Sequence, residues 1–240
     1  MIRIIKNSIP NILTVGNLFC GCVAIVLAIN GDITTATYFI FASAILDFFD
    51  GFVARLLKAQ SLLGLQLDSL ADMVSFGVAP SAIVFYILSV SQIHVTAEIP
   101  AFTPFLAFFI AVFSALRLAK FNIDKRQTTG FIGLPTPAST LFFCGLTYFN
   151  MFTVTGFYVL LTLIPVFCFL LVCELPMFSL KIKKSPDFVK KYSLQLLLSA
   201  CAIVFIAVWH LKGICITIAF YILFSIAEKI KKQISLWKKN

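Results

Sequence analysis

Charge is scarce in this chain, and negative charge is scarcest. Only ten of the 240 residues are Asp or Glu, and charged residues make up 12% of the total, against about 25% in soluble domains. With 60% hydrophobic residues and a mean hydropathy of +1.02, that scarcity excludes a water-soluble globule. No polar segment is long enough to fold alone, so a separate soluble domain is excluded too. Histidine is nearly absent. His94 and His210 fall in short loops far from most of the acidic residues, and neither is expected to be catalytic. The seven Cys all lie in apolar runs, with no pair at metal-ligand spacing near a His. They read as small buried hydrophobes.

What is present is a succession of apolar runs of about 20 residues, the length that crosses a bilayer as a helix. Eight spans are expected, near 10–30, 33–55, 64–90, 101–122, 136–153, 157–175, 192–209 and 213–230. The fold class is therefore all-α, a polytopic membrane protein forming one integral domain over residues 1–240. The basic start and apolar run at the N-terminus imitate a signal peptide. The run is too long for one and no small-x-small site follows, so it reads as the first permanent span. With the N-terminus in the cytoplasm, every Lys and Arg except Lys212 falls on the cytoplasmic side. That asymmetry fixes the orientation and fits an even number of spans. The net charge of +9 is then a basic membrane face, not a nucleic-acid footprint. The tail EKIKKQISLWKKN, with Trp237 among lysines, suits anionic lipid headgroups and serves equally as a topology signal.

Against this background, four of the ten acidic residues crowd into one stretch: Asp47, Asp50, Asp68 and Asp72. Helical residues three or four apart share a face. Asp47 and Asp50 share one near the end of span two, and Asp68 and Asp72 share one near the start of span three, about 6 Å apart along the axis. A connection of roughly eight residues makes the two helices antiparallel neighbours. All four carboxylates then converge at one depth. Such charges repel one another in a low dielectric, and each costs on the order of 2.5–3.5 kcal/mol at bilayer depth. Only Arg55 and Lys58 are close in sequence, too few to pair them. Oxygen ligands without imidazole or thiolate suit Mg²⁺, Mn²⁺ or Ca²⁺ and argue against zinc. Gly51 follows Asp50, Ala54 lies four residues after Asp50, and Gly64 lies four before Asp68 on the same face. Glycine in a helix costs roughly 1 kcal/mol relative to Ala, so a bulky group is expected beside the ions, and phosphate esters are usual partners of such Mg²⁺.

The residues read Asp47-x2-Asp50-Gly51-x2-Ala54-Arg55-x8-Gly64-x3-Asp68-x3-Asp72. This resembles the signature of the CDP-alcohol phosphatidyltransferase family, with every position filled. LDSLADMVSFGVAPS (Leu67 to Ser81), RLAKFN (Arg117 to Asn122), GFIGLPTPAS (Gly130 to Ser139) and IPNILTVGNLFCG (Ile9 to Gly21) are similar to its serine-using bacterial branch, the phosphatidylserine synthases. The resemblance covers residues 9–140. It implies a six-helix core, taken as 9–175, with two additional C-terminal helices at 192–230, and a homodimer.

The resemblance also implies an enzyme that transfers the phosphatidyl group from CDP-diacylglycerol to L-serine at the cytoplasmic membrane face. By position match, Asp47, Asp50 and Asp68 hold one or two Mg²⁺ or Mn²⁺ ions. Asp72 is the general base and can also touch a second ion. Gly51, Ala54 and Gly64 border the cytidine, and Arg55 balances phosphate charge. Asn11 and Thr14 are candidate nucleotide contacts, with a helix N-cap an equal reading for Asn11. Arg117 and Lys120 share a face and suit the substrate phosphate or the serine carboxylate, or simply anchor the cytoplasmic end of span four. Asn122 is a further candidate there. The segment from Gly130 to Pro137, with Gly133 and Pro135, reads as a turn or as a rigid wall of the acceptor pocket. The same chemistry with glycerol 3-phosphate, inositol phosphate or an ether lipid is an alternative. A cation-coupled transporter is a remote one, since all four carboxylates lie near one face and no inverted repeat is evident.

Overall fold

The computed structural model describes residues 2–59, 61–124, 131–177 and 200–237. Side chains are described for residues 8–59, 61–124, 132–177 and 200–230. Gly130, the cations at 125, 126, 181–191, 238 and 239, and residues 192–199 of the seventh expected span lie outside the described residues. So do the side chains of Arg3, Lys6 and Trp237.

Helices occupy all eight expected stretches. In chain order they are α1 (Ile2–Ile29), α2 (Ile33–Leu56), α3 (Leu62–Asp72), α4 (Ala79–Gln92), α5 (Phe109–Ile123), α6 (Thr136–Leu146), α7 (Val154–Val172), α8 (Ala200–Trp209) and α9 (Lys212–Trp237). A π-helical turn, Met73–Val78, joins α3 to α4, and a 3₁₀ turn, Thr103–Phe108, leads into α5. Two short strands, β1 (Phe131–Ile132) and β2 (Pro176–Met177), pair antiparallel. Five of the described segments are long and apolar enough to cross a membrane: Ser8–Ile29, Leu62–Gln92, Thr103–Ile123, Val154–Val172 and Lys212–Ile230. Of the other three expected spans, α2 carries Asp47, Asp50 and Arg55 near its end. Helix α6 stops at Leu146 rather than near 153, ahead of a turn in which Asn150 adopts φ 48°. Helix α8 is described over ten residues.

Local chemistry sets these boundaries. Asp32 caps α2 by accepting from the Thr35 amide at 3.1 Å. Ser61 caps α3 by accepting from Gly64, and Thr153 caps α7 by accepting from Gly156, each at 3.0 Å. Such caps contribute about 1 kcal/mol each. Helix α1 begins at Ile2, nine residues before Asn11, so the N-cap reading of Asn11 is wrong. The α2–α3 link is also shorter than expected, covering only residues 57–61.

Large apolar side chains such as Ile12, Phe19, Phe48 and Leu62 cover the outer surface, as lipid contact requires. The interior is built from small residues and tight aromatics, including Ala24, Ala28, Ala36, Phe143 and Phe157. Helices α1 and α2 form the most extensive pair. The π-helical turn sits where α1, α5 and α6 meet. Its geometry frees backbone groups, and neighbours satisfy them: Thr140 of α6 donates to the Phe76 carbonyl at 2.7 Å. Ser75 of the turn donates to the Asn17 carbonyl of α1 at 3.0 Å, and Ser43 of α2 donates to the Asn17 side chain. Small residues and hydroxyls joining helices in this way are the usual glue of membrane bundles.

Gly21 allows α1 to approach the turn. A Cβ there would lie 2.3 Å from Ser75 Oγ and 2.9 Å from Ser75 Cα. Gly21→Ala is therefore expected to destabilise the protein by about 1–3 kcal/mol, measured as a lowered unfolding temperature in detergent. Gly16→Ala is the control. Its Cβ would meet only the end of the Leu46 side chain, at 3.3 Å, and should leave that temperature nearly unchanged.

Candidate active site

The end of α2 and the whole of α3 supply the four carboxylates. Asp47, Asp50 and Asp68 each offer one oxygen within 4.8 Å of the others. Asp72 lies beside Asp47, and its Oδ1 is buried without a hydrogen-bond partner among the described residues. No Lys or Arg among the described residues forms an ion pair with Asp47, Asp50 or Asp68. A buried acceptor left open is costly, and so is unbalanced like charge. Three converging carboxylates with an open fourth fit a hard divalent cation.

Thr14 meets this cluster from α1. Its hydroxyl lies 2.6 Å from Asp50 Oδ2 and 3.0 Å from the Pro10 carbonyl. Thr14 is buried, so its contact is with the carboxylate itself. The sequence offered it as a nucleotide contact and gave no sign of this pairing.

A cavity of about 650 Å³ opens beside the cluster, bounded by α1, α2 and α3. Asn11, Thr14, Gly51, Ala54, Arg55 and Gly64 all line it, together with Asp50 and Asp68. The two glycines serve it differently. Next to Gly51 a Cβ would meet nothing closer than the Arg55 guanidinium at 3.9 Å, so the missing side chain leaves open space. At Gly64 it would lie 3.0 Å from Ser61 Oγ and 3.1 Å from Asn11 Oδ1, so this glycine lets α3 approach α1.

The other candidates gather elsewhere. Arg117 is 6% exposed, and its Nε has no hydrogen-bond partner among the described residues. Its guanidinium stands 5.0 Å over the Phe121 ring and within electrostatic range of Asp72 and of Tyr221 on α9. Arg117 and Lys120 line a second cavity of about 230 Å³, between the ends of α5 and α7. Lys120 Nζ also donates to the Val172 carbonyl at 3.3 Å. Asn122 lines neither cavity. Its amide donates to Ser69 Oγ at 2.9 Å, tying α5 to α3 one residue past Asp68.

Gly133 adopts φ 77°, and a Cβ there would sit 2.7 Å from the Leu171 carbonyl and 3.0 Å from that of Cys173. It thus lies directly behind the α7 residues of the second cavity. Pro135 caps α6 and lines neither cavity. Sequence reasoning missed Tyr221, and it missed Asp124 and Glu174, which both line the second cavity. Asp124 stands four residues after Lys120 and Glu174 just beyond an apolar helix, and in a chain with ten acids both positions were signals.

Residues 7–223 match the protein-family model for CDP-alcohol phosphatidyltransferase. The chain belongs to that family. The family match runs through α8 and into α9. Among curated relatives, the CDP-diacylglycerol–serine O-phosphatidyltransferase of Bacillus subtilis is 40% identical over 131 residues, covering 55% of this chain and 70% of that protein. Proteins of the same name from Helicobacter pylori and Saccharomyces cerevisiae are 37% and 38% identical. These alignments cover 55% and 57% of this chain, but only 54% and 52% of those relatives.

Thr14→Val keeps the volume and removes the hydroxyl that faces Asp50. Loss of such a supporting contact is expected to weaken divalent-ion binding by about 10–100-fold, measured by Mn²⁺ titration of the detergent-solubilised protein with electron paramagnetic resonance.

Proposed function

We propose that this protein transfers the phosphatidyl group from CDP-diacylglycerol to L-serine, giving phosphatidylserine and CMP. The observation that carries this reading is the carboxylate cluster opening onto a cavity whose wall holds all six residues matched to the nucleotide lipid. The names of the relatives support serine as acceptor. The reading includes a homodimer in the cytoplasmic membrane with the site on the cytoplasmic face, as the resemblance and the distribution of basic residues suggest.

Asp47, Asp50 and Asp68 would hold one or two Mg²⁺ or Mn²⁺ ions. Bound there, the metal neutralises pyrophosphate charge and lowers the barrier to CMP departure. The chain's own groups do the rest. The bare helix surface at Gly51 and Ala54 admits the cytidine, and Arg55 meets phosphate at the cavity mouth. Thr14 keeps Asp50 turned toward the cluster. Asp72 takes the proton from the serine hydroxyl as its oxygen bonds to the β-phosphorus, and the bond from that phosphorus to CMP breaks. The open Oδ1 of Asp72 suits it to accept that proton. Arg117 lines the second cavity and lies within electrostatic range of Asp72, so it can orient the acceptor.

The test is CMP release by purified protein given CDP-diacylglycerol, Mg²⁺ or Mn²⁺, and one acceptor at a time. Release is expected with L-serine and not with glycerol 3-phosphate or inositol phosphate, and EDTA should abolish it. Asp72→Asn should lower kcat by about 10²–10⁴-fold while the protein still binds Mn²⁺. Release with a phosphorylated acceptor alone would overturn serine as the substrate.

A further inference from the structure

Asn17 is fully buried on α1 and lines neither cavity, yet its contacts tie it to the carboxylates. Its side-chain oxygen accepts from Ser43 of α2, and its carbonyl accepts from Ser75 of the π-helical turn at 3.0 Å. Ser43 stands four residues before Asp47, and Ser75 three residues after Asp72. Asp47 and Asp72 lie side by side. Asn17 therefore sits one helical turn inward of that pair, about 6 Å away along α2. Side chains on a helix lean toward its N-terminus. On α1 that direction leads to the cluster, because Thr14, three residues earlier, meets Asp50. Both ends of the step are open. Asn17 Nδ2 and Asp72 Oδ1 are buried, and neither has a hydrogen-bond partner among the described residues. One is a donor and the other an acceptor. Buried polar atoms are rarely left unpaired. Two hydrogen bonds of about 2.8 Å through one water cover the same step of about 6 Å.

We infer that Asn17 is a positioning residue for Asp72, its side-chain N–H holding Asp72 Oδ1 through one bound water. This inference rests on the proposed phosphatidyl transfer and names what keeps its base in place. A carboxylate oxygen has two lone pairs. One can hold the water while the other stays free for the proton of the acceptor hydroxyl. The neighbouring carboxylates push Asp72 away from the cluster. A neutral donor on α1 opposes that push without adding a cation to compete with the metal. Ser43 and Ser75 in turn fix the carboxamide and the backbone of Asn17. Because Asn17 lines neither cavity, its influence falls on the proton-transfer step and not on lipid binding.

The test uses the full-length protein in detergent with Mg²⁺. Asn17→Leu removes the carboxamide at similar volume. Asn17→Thr keeps a polar group that its own helix can satisfy, but one too short to reach the water. Each is expected to lower kcat by about tenfold or more with the KM for CDP-diacylglycerol unchanged, as loss of an outer-sphere partner does. In the Asp72→Asn background the same substitutions should have almost no further effect, because the two groups act as a unit. An equal loss in both backgrounds means that Asn17 only supports the fold, and it overturns the inference. So does an unchanged kcat in protein that still folds. A second readout needs no turnover. The infrared carboxylate stretch of Asp72, assigned by its loss in Asp72→Asn, should shift in Asn17→Leu and Asn17→Thr. It should stay in place in Ser75→Ala, which removes the bond to the Asn17 carbonyl and spares the carboxamide. In the unsubstituted protein the same band should shift on transfer to D2O. No shift, or an equal shift in Ser75→Ala, overturns the inference whatever the turnover assay gives. A shift confined to the Asn17 variants and to D2O upholds it even if CMP release identifies a different reaction.

Discussion

Asp47, Asp50, Asp68 and Asp72 repel one another, and among the described residues no Lys or Arg is ion-paired to Asp47, Asp50 or Asp68. Packing must supply what electrostatics opposes. The three helices that meet here do so through short contacts: Thr14 against Asp50, Asn11 against Gly64, and Gly21 against Ser75. Each brings α1 closer to α2, to α3 or to the turn beyond it. The π-helical turn directly after Asp72 is the joint of this arrangement, because α1, α5 and α6 all press on it. Such turns recur at functional sites, where one extra residue re-aims a side chain.

The functional space divides in two. One cavity belongs to α1, α2 and α3 and is bordered by Asp50 and Asp68. The other belongs to the ends of α5 and α7 and carries charges of both signs. Arg117 is the link, since it lines the second cavity and lies within electrostatic range of Asp72.

Much of this was legible in the residues. The spacing of the four aspartates gave the shared faces, because helical periodicity is short-range and fixed. The scarcity of acids made their clustering visible. The succession of apolar helices followed from hydropathy alone. Contacts between distant segments were not legible. Nothing local to Thr14 signals that it meets a carboxylate thirty-six residues on. Asn11 looked like a start signal because the apolar run begins there, yet α1 extends back to Ile2. Gly64 was assigned to ligand access, and its closest neighbours turn out to be Ser61 and Asn11. The π-helical turn also has no local mark, since its cause is the partners that satisfy it.

Helix α9 packs chiefly on α6, where Gly145 admits the Cys215 backbone, and it brings Tyr221 to the neighbourhood of Arg117. The site is therefore gathered from opposite ends of the chain. Thr14 and the four aspartates all precede residue 73, whereas Tyr221 is translated long after them. Chains fold from the N-terminus as they emerge. During synthesis the bilayer meets the acidic half of the site first and the helix that borders its arginine last.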